Sequence, residues 1–192
     1  MSYGVSDGTA MARLRAGRAA GSVVPVDPIA LRPHMPGYGI VGPTEGSGLL
    51  PWQWARDRLT RSHDYWLATI WPSGRPHVTP VWGVWRDDAL WFSCSRNSRK
   101  ALNLKANPLV VATTDDPANP VIVEGEAALV LDRDSIAEFA EWIDTKYETH
   151  YGIGFFGDPD NACFRIEAAT AFGISGQDFT GSPTKWVFSL RA

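Results

Sequence analysis

Three consecutive residues, Ser98-Arg99-Lys100, carry the clearest chemical signal in this 192-residue chain. They follow the apolar, aromatic run Trp91-Phe92-Ser93-Cys94. They precede Ala101-Leu102-Asn103-Leu104-Lys105-Ala106, which reads as a short helix stopped by Asn107-Pro108. Ser98 is a good N-cap. Arg99 and Lys100 then fall in the first helical turn, where the macrodipole favours negative charge and a cation has the wrong sign. Two cations beside free backbone N–H groups make sense when an anion, a phosphate above all, sits among them. A solvated basic turn is the plainer reading, but it gives no reason for this charge placement.

Little else in the sequence points to covalent or acid–base chemistry. There is no Gly-x-Ser-x-Gly elbow. Gly152-Ile153-Gly154 lacks the third glycine and the preceding strand of a dinucleotide fingerprint, and the loop Gly42 to Gly48 lacks the Lys-Ser/Thr of a P-loop. His63 and Asp64 are sequence neighbours, expected to point apart at the surface. Asp115-Asp116 and Asp158 to Asp160 read as polar turns. The two cysteines, Cys94 and Cys163, form neither a metal-ligand spacing nor a disulfide framework, which fits a reduced, cytoplasmic setting. An enzyme built on such a chain would leave the reaction to a cofactor and use its residues for positioning.

The elements around this signal are mostly short strands. Pro51 opens a helix over Trp52 to Arg61. Tyr65 to Ile70 is a strand, Pro72-Ser73-Gly74-Arg75-Pro76 a tight turn, and His77 to Trp85 a second strand in which Pro80 marks an edge, a bulge or a ligand-facing kink. Ala89 to Cys94 is the third strand, Leu109 to Thr114 the fourth and Val121 to Leu131 the fifth, with Gly125 at a bulge. Ser135-Ile136-Ala137-Glu138 matches a capping box before an amphipathic helix on Ile136, Phe139, Ala140, Ile143 and Tyr147. Tyr151 to Asn161 reads as a loop, Cys163 to Ala168 as a sixth strand extendable to Gly173, and Trp186 to Leu190 as the last. Strands at this spacing argue for an antiparallel meander closed as a barrel or sandwich.

Composition narrows the partners. A net charge of −3 gives no electrostatic footprint for nucleic acid, and no apolar run approaches a membrane span. Nine tryptophans are a heavy load that must go into core, interface or flat ligand sites. Residues 1–48 are rich in Gly, Pro, Ala and Ser and read as an N-terminal extension. Its first 30 or so residues are expected to be mobile, and the rest, with Leu31, Met35, Tyr38, Ile40 and Val41, apolar enough to drape over the domain formed by 49–192.

Three quoted pieces, in this order and spacing, carry a resemblance: Gly74-Arg75-Pro76-His77-Val78-Thr79-Pro80-Val81-Trp82; Trp91-Phe92-Ser93 running into Ser98-Arg99-Lys100-Ala101; and Asn107-Pro108 before the next strand. From about Trp54 to Ser189 the chain resembles the pyridoxamine 5′-phosphate oxidase-like superfamily. The resemblance implies a mainly β (α+β) fold, a split antiparallel β-barrel with a few flanking helices. It also implies a homodimer with flavin or deazaflavin sites at the subunit interface. On that resemblance His77, Val78, Thr79, Pro80, Val81 and Trp82 lie along the ring, and Ser93 and Cys94 along the path to the phosphate. Ser98, Arg99, Lys100 and Asn103 hold the phosphate end. Trp82, Trp85 and Trp186 are candidate substrate walls.

The departures redirect the expected activity. The oxidases proper carry an arginine and a lysine on the second strand, where this chain has Thr79 and Val84, and their arginine-bearing C-terminal segment is poorly matched by Thr184-Lys185-Trp186. The pattern is more similar to the actinobacterial flavin/deazaflavin-dependent oxidoreductases. Arg96, Arg99, Lys100 and Lys105 suit the polyanionic tail of 8-hydroxy-5-deazaflavin (coenzyme F420), which is favoured slightly over FMN. The expected function is hydride transfer between that cofactor and a small unsaturated organic substrate. The rival is a non-catalytic protein that binds or sequesters a flavin, a deazaflavin or haem.

Overall fold

The computed structural model describes residues 27–189. The expectation of a mobile tail therefore falls largely outside the described residues.

Alternating side chains build the barrel. In β2 (Asp64–Ile70), Tyr65, Leu67 and Thr69 point inward and are fully enclosed, while Trp66 and Ile70 face out. This is the period-2 pattern of a strand with one buried face. β3 (Pro76–Arg86), β4 (Ala89–Ser95), β5 (Leu109–Thr114), β6 (Val121–Val130) and β7 (Asn161–Gly173) complete a ring in the order β7-β4-β3-β2-β5-β6, closed by antiparallel pairing of β6 with β7. Two further strands extend the sheet beyond β7, namely β8 (Thr184–Val187) and then β1 (Ile29–Leu31). The expected antiparallel barrel is thus the observed fold. β1 was not legible in the sequence, because three residues give no usable period.

Two cores result. One fills the barrel with Tyr65, Leu67, Val81, Trp85, Leu90, Phe92, Phe164 and Ile166, joined by Trp52 and Leu59 of α1 (Trp52–Arg61) and Ala101 and Leu104 of α2 (Arg99–Ala106). The other lies outside the wall, where Phe139, Ala140 and Ile143 of α3 (Arg133–Tyr147) cover Val84, Trp91 and Cys163. Helix α3 starts earlier than the capping box implied. Its N-cap is Asp132, whose carboxylate accepts from the Ser135 N–H at 2.8 Å and from the Ser135 hydroxyl. Asp is as good a cap as Ser and brings a charge that suits the dipole. The stretch expected as a loop contains a short helix, α4 (Gly152–Phe156). Its glycines hide an i, i+4 aromatic spacing, Tyr151 to Phe155.

Gly125 stands at the expected bulge, where the β6–β7 register shifts between Glu124 and Gly125. A Cβ there would overlap the Glu167 carbonyl oxygen and come within 3.3 Å of the Ala168 Cα, so only glycine fits. No helix among the described residues is long and apolar enough to cross a membrane.

Candidate functional site

The barrel wall opens between β3 and β4. β3 pairs with β2 from Pro76 to Trp82, and β4 pairs with β7 along its whole length from Ala89 to Ser95. The two strands pair with each other only at Gly83–Arg86 against Ala89–Phe92. Beyond Gly83 and Phe92 they diverge, leaving Val81 and Trp82 on one lip and Ser93 and Cys94 on the other. The closed end is fixed by the hairpin Asp87-Asp88, both left-handed (φ 51° and 53°) as a type I′ turn requires. Asp88 also accepts from the Trp52 indole N–H at 3.3 Å.

Where β2 has ended, α3 takes over the free edge of β3. The Gly83 N–H donates to the Tyr147 hydroxyl at 2.8 Å, and that hydroxyl donates to the His63 carbonyl. Lys146 Nζ donates to the carbonyls of Gly83 (2.7 Å) and Ser62 (2.6 Å). Burial pushes the Lys146 ammonium down to about 8 against the pull of Asp64 and Asp115. Tyr147 also stacks on Trp82, with centroids 4.4 Å apart and planes 8° from parallel. One face of Trp82 is thereby fixed while the residue stays 44% exposed.

The far end of the opening is basic. Ser98 caps α2 through its hydroxyl, which accepts from the Ala101 N–H at 3.4 Å. The Arg99 guanidinium lies 3.7 Å above the Trp71 ring, and the Arg75 guanidinium lies 6.0 Å from it. The turn after β2, where Gly74 takes φ 84°, sets Trp71 and Arg75, and Arg99 reaches the same ring from the first turn of α2. The Ser98 hydroxyl and the Lys100 ammonium neighbour Cys94. Burial raises the Cys94 thiol, and these two neighbours partly offset the shift. Ser93 and Cys94 thus lead from the opening towards the Ser98-capped start of α2.

Four residues expected at the site hold orphaned polar atoms: the indole N–H groups of Trp85 and Trp186 in the core, and one atom each of His77 and Asn103. His77 lies opposite Thr69 on the neighbouring strand, and its Nδ1 is buried without a partner. Asn103, fully buried, donates from Nδ2 to the Thr69 hydroxyl at 3.0 Å and leaves Oδ1 unpaired. Buried polar groups without partners are rare and invite an explanation. Both the His77 and Asn103 atoms are enclosed by the protein itself, so the fit of the site to a flat ring with a phosphate-bearing tail rests on the open seam and the basic start of α2.

The other expected positions divide. Val78 and Pro80 are exposed on the outer face, Thr79 is half-buried with its hydroxyl 3.3 Å from the Pro80 carbonyl, and Val81 is buried. Trp186 is wholly enclosed in the core against Trp52 and Trp54, which removes it as a substrate wall. Trp85 is almost fully buried and lines a different cavity, of about 570 Å³, with Arg56, Arg86 and Lys146. Arg96 is tied down, donating to the carbonyls of Pro159 (2.9 Å) and Asn161 (3.0 Å). Its guanidinium braces the segment before β7. His63 and Asp64 do meet, Nδ1 to Oδ2 at 3.0 Å, on the surface.

Sequence reasoning missed Lys146 and Tyr147, which hold the edge of β3, and the aromatics of α4. Tyr147 was legible as part of an apolar helix face, but its use of the hydroxyl was not. Among the described residues, no group of His, Cys, Asp and Glu side chains is placed to hold a metal ion.

Residues 53–175 match the family model for pyridoxamine 5′-phosphate oxidase. No curated protein matches the sequence. Among solved structures, one named F420 reductase is 23% identical with a TM-score of 0.50, covering 60% of this chain and 94% of its own. A conserved hypothetical protein from Mycobacterium tuberculosis is 21% identical with a TM-score of 0.58, covering 74% and 93%. General stress protein 26 from Bacillus anthracis is 19% identical with a TM-score of 0.53, covering 64% and 92%. At these identities the likeness establishes a shared fold.

Proposed function

The chain belongs to the pyridoxamine 5′-phosphate oxidase family, and on that premise we propose that it is an oxidoreductase holding a flavin or deazaflavin in the opening between β3 and β4. The carrying observation is the seam itself, open from Trp82 and Ser93 onward and ending at a helix start that carries Arg99 and Lys100. Ser98, Arg99 and Lys100 would hold the phosphate by charge-assisted hydrogen bonds. Val78, Pro80 and Trp82, exposed along β3, would support the ring. When bound, the cofactor gives or takes the hydride of a small unsaturated substrate. The chain's own residues bind, orient and keep water from the ring. Deazaflavin is the first cofactor to try, on the resemblance of the Gly74 to Trp82 and Ser98 to Lys100 motifs. The loss of Arg96 from the anion site makes FMN a close second.

The apolar outer face adjoining the site points to a second copy of the chain. Trp66 lies opposite Pro80, Ala68 opposite Val78 and Ile70 opposite Pro76. With Trp82 and Leu109 they form one patch, and a shallow cavity of about 430 Å³ borders its Ala68, Ile70, Pro76 and Leu109 end, beside Glu124 and Glu126. Contiguous patches of this kind mark interfaces. In a dimer joined here, each cofactor ring would lie at the boundary between the two subunits.

The test is equilibrium binding of FMN and of the deazaflavin to purified protein, followed by fluorescence. One of them is expected to bind tightly and to weaken about tenfold or more in an Arg99→Ala/Lys100→Ala variant, with a steep dependence on salt. Binding of neither would overturn the reading. Tight binding with no reoxidation of the reduced cofactor by quinones or enones would favour the sequestering role over catalysis.

A further inference from the structure

Strand and helix periodicity bring three elements together around a cavity at the closed end of the β3–β4 pair. Its volume is about 570 Å³, within the roughly 300–1,000 Å³ of small-molecule sites. β3 alternates, so Val84 and Arg86 share the face that α3 covers. Helix α3 supplies Trp142, Thr145 and Lys146, at the i, i+3 and i+4 spacing of one helix face. Helix α1 adds Arg56 and Thr60, one turn apart, and Trp85 reaches the cavity from the barrel core. The described residues that line it include neither the lips of the opening nor the start of α2.

The charges around this cavity are unequally engaged. Asp88 accepts from the Trp52 indole N–H at 3.3 Å and lies 3.8 Å from Arg56 Nε. Arg56 also pairs with Asp27 at 2.9 Å. Lys146 Nζ donates to the carbonyls of Ser62 and Gly83. Arg86 differs. It is exposed, its guanidinium stands 5.5 Å from the Trp142 ring centroid, and among the described residues it forms no ion pair. Trp142 is in turn edge-on to Trp91, with centroids 5.5 Å apart and planes at 82°. An aromatic platform thus steadies the guanidinium while leaving its N–H fork to a ligand, and that fork matches a carboxylate.

We propose that this cavity is a second ligand site, separate from the opening, and that it takes a monocarboxylic acid with a flat apolar body. The carboxylate would meet the Arg86 fork, with the Thr60 hydroxyl as a further donor in the lining. The body would lie against Val84, Trp85 and Trp142. A dianion such as a phosphate ester would be disfavoured, because Asp87 and Asp88 also face the cavity. A neutral analogue would lose the pair with Arg86, and a cation would meet Arg56, Arg86 and Lys146. The site and its preference do not depend on the cofactor reading above.

The experiment uses the full chain and 2-naphthoate. Its Kd is measured by calorimetry in wild type, Arg86→Met and Thr60→Trp, with quenching of tryptophan fluorescence as a second readout. Both positions are exposed, and circular dichroism checks folding. The neutral control is 2-naphthamide, and the dianionic one is 2-naphthyl phosphate. The expected result is binding of 2-naphthoate, weakened roughly three- to tenfold by Arg86→Met and further by Thr60→Trp, which fills the cavity. Both controls are expected to bind more weakly. Arg99→Ala/Lys100→Ala should leave 2-naphthoate binding unchanged, since the start of α2 does not line this cavity. Absence of binding, equal affinity in either cavity variant, or equal binding of the amide or the phosphate ester would overturn the proposal. So would a loss in the Arg99→Ala/Lys100→Ala variant, which would place the acid at the opening instead.

Discussion

The barrel has two seams made from the same kind of strand, and they behave oppositely. β6 and β7 stay paired from Val121–Gly173 to Val130–Cys163, through a bulge that only Gly125 permits. β3 and β4 part after Gly83 and Phe92, although both strands continue. Weak strand propensity does not explain the gap, since β3 is rich in Val and Trp. Pro80 lies in the opened stretch and has no N–H to donate to either neighbour. At the start of the opening, side chains of α3 take the backbone groups that a strand would otherwise take. A closed seam is thus held by backbone geometry, and an open one by side chains that can be removed singly.

This difference can be attacked from either side. The largest effect is expected from Gly125→Ala, where the new Cβ meets a backbone carbonyl that cannot swing away. A loss of about 3 kcal/mol or more in urea unfolding is expected, and an unshifted midpoint would show that the closed seam is more pliable than its geometry implies. Tyr147→Phe strikes the open seam. It strips the Gly83 N–H and the His63 carbonyl of their partner while keeping the ring on Trp82, for a loss of about 1–3 kcal/mol.

A pH series sharpens the same contrast. Burial pushes the Lys146 ammonium down to about 8 in the folded chain, from its ordinary 10.5 when unfolded. Between those values the unfolded chain holds the extra proton, so stability rises with pH across that window and the penalty is fully present below it. Burial raises the Tyr147 phenol from 10 to about 12, so stability falls again above pH 10. The denaturation midpoint of wild type is expected to climb relative to Lys146→Met as pH goes from 8 to 10. Parallel curves would remove Lys146 as the titrating support of β3. The smallest change in folding energy is expected from Val78→Glu on the exposed outer face, within about 0.5 kcal/mol for the monomer. Sedimentation should nevertheless show the subunits separating. A wild type that sediments as a monomer would discard the second copy.

Most of the barrel was legible because its strands alternate, its turns carry Gly and Pro, and its helices begin at recognisable caps. Ser98 could be placed as an N-cap from local chemistry alone, and the structure puts it there. What stayed hidden depends on contacts between distant residues. The interruption of pairing after Phe92 has no local signature, since Ser93-Cys94-Ser95 is a plausible strand and is one, paired to β7. Trp82, Trp85 and Trp186 are alike in sequence, yet one is exposed at the opening and two are buried. Arg96 reads as a free cation three residues before Arg99, but it is committed to two carbonyls more than sixty positions away. Only the spacing of Tyr151 and Phe155 offered a usable clue to α4.

Arg32 has a consequence for the order in which the molecule assembles. Its guanidinium donates to the carbonyls of Pro183 (2.5 Å), Gly181 (2.9 Å) and Gly42 (2.9 Å), next to the pairing of Ile29–Leu31 with Val187–Lys185. The contacts to Pro183 and Gly181, and the β1–β8 pairing, join segments about 150 positions apart, so closing them costs the most chain entropy. β1, whose residues are exposed or half-buried, should therefore dock last in folding and open first, leaving β8 in place through Trp186. Amide exchange should find the Lys185 and Val187 N–H groups exchanging faster than those of β6, while the central barrel stays closed.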